Sequence, residues 1–186
     1  MNKTSAGLRV LLALSMLCAV PTVAQMPPAS GSEAKTKLET FQAQKGAVLV
    51  KGFSRIGKIS ALGTVEVTAM ELTDAATGKK QTGVAIEVQS GRMENSSFID
   101  YDEIPSLLEG LDYIAKATAN VTKLKDFEAR FNTRGNFGAG TYSGSKNGKV
   151  EATVTSGRIS AFLSLQQLGE FRTLVSQAKQ KLDSIK

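Results

Sequence analysis

Apolar and polar residues alternate along much of the chain from Gly46 onward, and a period of two marks half-buried β-strands. Val48 and Val50, then Val65, Val67 and Ala69, then Val84, Ile86 and Val88 take alternate positions. Between them Asp74-Ala-Ala-Thr-Gly-Lys-Lys is a turn, in which Asp bonds its own backbone and Gly supplies a positive φ. A short strand is predicted around Phe98 to Tyr101. At Pro105 the period changes. Leu107, Leu111, Ile114, Thr118 and Val121 follow one another at spacings of four, three, four and three, one face of a helix. Pro in the first turn, with Asp102 and Glu103 just before it, marks the start.

The second half repeats this order. Phe127, Ala129 and Phe131 alternate with Glu128 and Arg130, and Phe137, Ala139 and Thr141 with Gly138 and Gly140; Val150, Ala152 and Val154 alternate next, then Ile159, Ala161 and Leu163. Leu168, Phe171, Val175, Ala178, Leu182 and Ile185 then line one side of a final helix. The pattern predicts an α+β protein, mostly antiparallel sheet packed with two helices. Four strands and a helix occur twice, which suggests a duplicated β4α unit with pseudo-two-fold symmetry over 46–122 and 123–186. One stretch supports an internal repeat: residues 83–92 align without gaps on residues 149–158, and Val84, Val88, Ser90, Gly91 and Arg92 recur as Val150, Val154, Ser156, Gly157 and Arg158.

The first residues read differently. Lys3 and Arg9 precede the apolar run Val10 to Val20, and Pro21-Thr22-Val23-Ala24 follows. A charged start, a short apolar core and a small residue at the cut are the parts of a Sec-type signal peptide, so residues 1–24 are expected to be removed after Ala24. Eleven apolar residues reach only ~16 Å as a helix, about half a bilayer core. The chain is therefore expected to be secreted or periplasmic, with no stable membrane span. Residues 25–45 are expected to be a mobile leader or short helix, and 46–186 a single domain.

Composition narrows the chemistry. The 186 residues include no His, no Trp and one Cys, Cys18, which leaves with the signal. The remainder lacks His and Cys, which excludes the common zinc, haem and iron–sulfur sites, His-dependent triads and internal disulfides. No metal or cofactor is expected. Without Lys3 and Arg9 the remainder carries 21 basic against 17 acidic residues.

Charge is unevenly placed. Glu94 to Asp112 holds six acids and no base. Within it Asp100, Asp102 and Glu103 are a candidate acidic cluster, either a carboxylate pair for a secreted hydrolase or acids that complement a helix dipole. Lys116 to Lys149 holds seven bases against two acids. Arg130, Arg134, Lys146 and Arg158, with Tyr142 and Phe162 as an exposed aromatic pair, are candidates for binding an anion or ligand. The two stretches also offer to pair, inside one molecule or between two in a homodimer. Gly138 and Gly140 lie on one face of a strand and admit a partner, a ligand or a neighbour's ring to the backbone. A Ser-Gly-Ser-Lys-Asn-Gly hairpin follows.

In layout, two β4α units resemble single-stranded nucleic-acid-binding proteins of the Whirly and Pur type. That resemblance implies nucleic-acid binding through the basic second half. An exported chain seldom meets nucleic acid, and a layout does not fix a function. The reading preferred here is an exported, non-catalytic protein that binds a partner or small ligand through its sheet or its gapped glycine surface.

Overall fold

The structure, a computed structural model, describes residues 34–117, 119–143 and 149–185. The signal segment and most of the leader lie outside the described residues, as do Thr118 and Lys146. Elements follow in the order α1 (Lys37–Gln42), β1 (Leu49–Ala61), β2 (Gly63–Asp74), β3 (Lys80–Ser90), β4 (Met93–Asp100), α2 (Ile104–Lys116), β5 (Glu128–Asn132), β6 (Phe137–Ser143), β7 (Val150–Ser156), β8 (Ile159–Leu163) and α3 (Leu165–Asp183). Strands β1–β4 form one antiparallel sheet and β5–β8 another, each paired in chain order. The protein is thus α+β, with four strands and a following helix in each half.

The aligned segments 83–92 and 149–158 fall on the same piece of each sheet. Ser90 pairs with Met93 and Ser156 with Ile159, closing two-residue hairpins on Gly91 (φ 59°) and Gly157 (φ 57°). A positive φ at the first turn residue matches the twist of paired strands and is open to Gly without steric cost.

The inner faces of the two sheets and both long helices share one core. Val65, Val67, Val84, Ile86 and Val88 face Ala152, Val154, Ala161, Phe137 and Leu163 within it, and the apolar stripes of α2 and α3 complete it. Each helix lies largely over the other half's sheet: α2 packs on β5 and β6, and α3 mainly on β1–β3. Close approach is made possible by glycine. A Cβ on Gly57 of β1 would come within 2.6 Å of Leu174 of α3, and one on Gly110 of α2 would strike the Phe131 ring of β5.

Hydrogen bonds complete these junctions. Capping boxes open α1 (Thr36 with Glu39) and α3 (Ser164 with Gln167), satisfying backbone N–H groups that a helix start leaves orphaned. Thr141 Oγ1 donates to the Ile114 carbonyl near the end of α2 at 2.8 Å. Ser156 of β7 sits 2.7 Å from the Ser97 hydroxyl of β4 and accepts from Asn95 Nδ2 at 2.8 Å, a polar bridge between the sheets. Ser97 and Ser156 are both buried. Ser156→Ala is therefore expected to cost about 1–2 kcal/mol, because Ser97 and Asn95 lose a partner. A lower urea midpoint at unchanged slope would register it.

Several sequence expectations need adjustment. Within 25–45, where described, the chain forms the short helix α1 that was one of the two expectations; its Leu38 and Phe41 pack on Met70 and Leu72 of the outer face of the β1–β4 sheet. β4 runs over eight residues, beginning five before Phe98. α2 stops at Lys116, so Val121 falls in a separate 3-10 turn and is exposed; Ile185 lies past the end of α3 and is also exposed. Val48 and Val50 are exposed too, just before and at the start of the edge strand β1.

Candidate functional site

The acidic cluster forms where β4 turns into α2. Asp100 ends β4, and Asp102 and Glu103 belong to the 3-10 turn Tyr101–Glu103 that leads into the helix. Asp100 is only 1% exposed. Its carboxylate accepts from the backbone N–H groups of Lys37 (2.9 Å) and Leu38 (3.0 Å), holding the first turn of α1. Arg134, from the β5–β6 turn, inserts among all three acids. Its Nη2 lies 3.7 Å from Asp100 and 3.2 Å from Asp102, and its Nε lies 3.4 Å from Glu103. The backbone N–H of Arg134 donates to Glu103 Oε1 at 2.8 Å, and Lys37 Nζ reaches Asp102 at 3.0 Å. Glu103 Oε2 is buried and has no hydrogen-bond donor among the described residues.

This arrangement ties three parts of the chain together: α1, the β4–α2 junction and the β5–β6 turn. Through Arg134 it joins the acidic and basic stretches inside one molecule; another acid of the acidic stretch, Asp112 of α2, pairs instead with Arg172 of α3, whose guanidinium forks onto it with two 3.0 Å hydrogen bonds. The hydrogen bond from Lys37, then the charge of Arg134, holds the Asp102 carboxyl below its ordinary value against the opposing effect of burial. The hydrogen bond from Arg172 does the same for Asp112. A general acid needs the opposite shift. Among the described residues no group of three or more His, Cys, Asp or Glu side chains is placed to hold a metal ion.

Because these carboxyls titrate lower in the folded than in the unfolded chain, the stability they contribute is present above their unfolded pKa, near 3.8, and is lost as pH falls through the folded values. Melting temperature should therefore fall below about pH 4. The acid limb should be shallower in Asp102→Asn. A limb of equal steepness in that variant would remove Asp102 from the account.

The other candidates diverge. Register places Arg130 of β5, Tyr142 of β6 and Phe162 of β8 on the outer face of the second sheet, opposite the core. Along one row Arg130 pairs with Gly140, Gly140 with Thr153, and Thr153 with Phe162; the adjacent row runs Glu128, Tyr142, Glu151. Only Phe162 of the expected exposed aromatic pair is exposed; Tyr142 is half-buried and donates from its hydroxyl to Glu151 at 2.9 Å. Burial and then that hydrogen bond raise the phenol above its ordinary value, so it acts as a neutral donor. The chain's own groups approach Gly138 and Gly140: the Arg130 side chain lies over Gly138, and a Cβ at residue 140 would come within 2.9 Å of the Ala129 carbonyl oxygen. The guanidinium crosses Gly138 to bond Asn132 Oδ1 (3.0 Å) and Thr155 Oγ1 (3.1 Å), and a Cβ at residue 138 would crowd it.

Arg134 belongs to the acidic cluster. Arg158 sits on the β7–β8 hairpin turn, at the end of the face away from Tyr142. Lys146 and its hairpin lie outside the described residues. Sequence reasoning missed the groove at the Phe162 end, about 600 Å³, lined by Leu62, Lys149, Val150, Glu151, Phe162, Leu163, Ser164 and Leu165. Its floor needs the β1–β2 hairpin tip, where Leu62 O accepts from Phe162 N at 2.9 Å, a contact 100 residues apart in sequence.

No family model matches this chain, and neither a curated protein nor a solved structure matches it. Among the described residues no helix is long and apolar enough to cross a membrane.

Proposed function

We propose that this chain is an exported, non-catalytic binding protein whose ligand lies on the outer face of the β5–β8 sheet and extends into the groove beside Phe162. The observation that carries the reading is the groove beside Phe162, at the β8 edge of the same sheet face on which Tyr142 and, across the sheet on β5, Arg130 also lie. A groove of several hundred Å³ with apolar walls and a few polar groups is of a size that holds a small ligand. Leu62, Phe162 and Leu165 are exposed there, so the apolar part of a ligand has surface to cover. Arg130, fixed over Gly138, offers the polar contact.

The hydrolase reading is weaker, because Arg134 and Lys37 neutralise the carboxylates it requires. Binding of an anion or single-stranded nucleic acid is the second reading. Glu128, 3.6 Å from Arg130, and Glu151 beside Tyr142 oppose a polyanion on this face. Export rests on residues 1–24 and is tested by N-terminal sequencing of the chain recovered outside the cytoplasm, which should begin at Gln25.

Native mass spectrometry of that material should reveal a reproducible added mass. Phe162→Ala and Arg130→Ala should each remove it while leaving stability within about 0.5 kcal/mol, as exposed substitutions usually do. A ligand retained by both variants would place the binding surface elsewhere. Oligonucleotide binding that falls steeply with salt would favour the second reading.

A further inference from the structure

We infer that the free edge of β1 is a docking strand for an extended segment of another protein in which acidic and apolar residues alternate. β1 is the terminal strand of its sheet and, among the described residues, is hydrogen-bonded as a strand to β2 alone. From Leu49 to Arg55 its register is unbroken, seven residues or ~23 Å of regular edge, before an irregularity between Arg55 and Gly57. Such an edge presents backbone donors and acceptors that an incoming strand satisfies.

The two sides of this edge differ. On the outer face Lys51, Phe53 and Arg55 stand in a row, with the Lys51 ammonium and the Arg55 guanidinium each 6.0 Å from the Phe53 ring. Phe53 is 61% exposed. The row borders a depression of about 270 Å³ lined by Thr68, Ala85 and Phe98 and by two carboxylates, Glu66 and Glu87, which leave the cations at the strand edge to meet an incoming acid. β1 carries Lys51, Arg55 and Lys58 and no acid; Arg55 meets Glu66 at 3.2 Å, while Lys51 and Lys58 make no ion pair among the described residues. On the inner face Gly52 and Ser54 adjoin Leu182 and Ile185 around a mostly apolar cavity of about 180 Å³, with Glu71 and Lys181 also on its wall, room for one aliphatic side chain and too small for most ligands.

An added strand alternates its side chains between these two environments. Residues beside Lys51 and Arg55 are then acidic, the one beside Phe53 apolar or aromatic, and those beside Gly52 and Ser54 aliphatic. A second copy of β1 does not fit: antiparallel pairing centred on Phe53 sets Lys51 of one copy against Arg55 of the other, a repulsive cross-strand pair. Edge lysines and an irregular register also protect a sheet from aggregation. Protection accounts for the charges; it leaves the exposed Phe53 and the aliphatic cavity without a purpose.

The test is fluorescence anisotropy of the purified chain with a labelled nine-residue probe alternating Glu and Val, with Phe at its centre. Saturable binding is expected, weakened at least tenfold by the double substitution K51E/R55E and restored when the probe's Glu residues become Lys. Phe53→Ser, an exposed site, supplies a second weakened variant should the double one fail to fold. N-methylation at alternate residues of the probe should abolish binding in one phase and spare it in the other, as main-chain pairing requires. Absence of binding at millimolar probe would overturn the inference. So would insensitivity to both methylation phases, or equal competition by an oligonucleotide of matching charge, which would make the row a site for polyanions.

Discussion

Replacing Phe171 with Ala is expected to lower stability by about 3–5 kcal/mol, the range for deleting a buried aromatic side chain. Phe171 is completely buried on α3, a helix lying mainly over the first sheet. Its ring meets that of Phe137, at the start of β6 in the second sheet, with centroids 5.6 Å apart and planes tilted by 36°. Such pairs add about 0.5–1.5 kcal/mol beyond the area they bury. The residue therefore joins both halves, and its loss should weaken them together. Circular dichroism and the fluorescence of Tyr101, Tyr113 and Tyr142 should report one coincident denaturation curve, shifted as a whole. Separate transitions in the variant would mean that the halves hold independent cores.

The common core is also what the sequence could show least directly. Alternation at Val65, Val67 and Ala69, or at Val84, Ile86 and Val88, identifies the buried face of a strand, because the side-chain period of a strand is two. The helical stripes of α2 and α3 are equally visible in the spacing of their leucines. A stripe does not say which surface it will cover. That α2 packs across the second sheet and α3 across the first depends on contacts between distant residues, such as Leu174 over Gly57. The same limit explains Val50. Its alternation is real, but whether a neighbour covers that face is decided by the edge position of β1 and the end of α3, neither of which has a local signature.

The candidate residues divide in the same way. Arg130 and Tyr142 share a face by parity along hairpin-connected strands, a relation that residue counting captures once the hairpin is known. Phe162 joins them two strands further on through an equally regular ladder. The partner of the acidic cluster was legible only as one base among seven, because Arg134 reaches Asp102 and Glu103 through a tight turn 31 or more residues away. The row Lys51, Phe53, Arg55 carried a usable signal, cation–aromatic–cation at period two, yet the same spacing suits an ordinary half-buried strand.

Arg134→Ala is expected to cost about 1.5–3 kcal/mol. Removing one partner of a fully buried ion pair costs about 3–5 kcal/mol, since the remaining charge is left without compensation. Here the Arg134 side chain is 45% exposed, so water screens part of the interaction and the expected loss is smaller. Asp100 also keeps its two backbone donors from Lys37 and Leu38. Glu103 depends most on the arginine: Arg134 Nε is the cation beside Oε2, which has no hydrogen-bond donor among the described residues. Glu103→Gln should accordingly be destabilising in the parent chain and nearly neutral once Arg134 is gone, a coupling of about 1 kcal/mol or more across the cycle. Additive costs would separate the two residues. A loss below about 0.5 kcal/mol for Arg134→Ala would put the arginine among ordinary surface charges and return Asp100, Asp102 and Glu103 to consideration as a site in their own right.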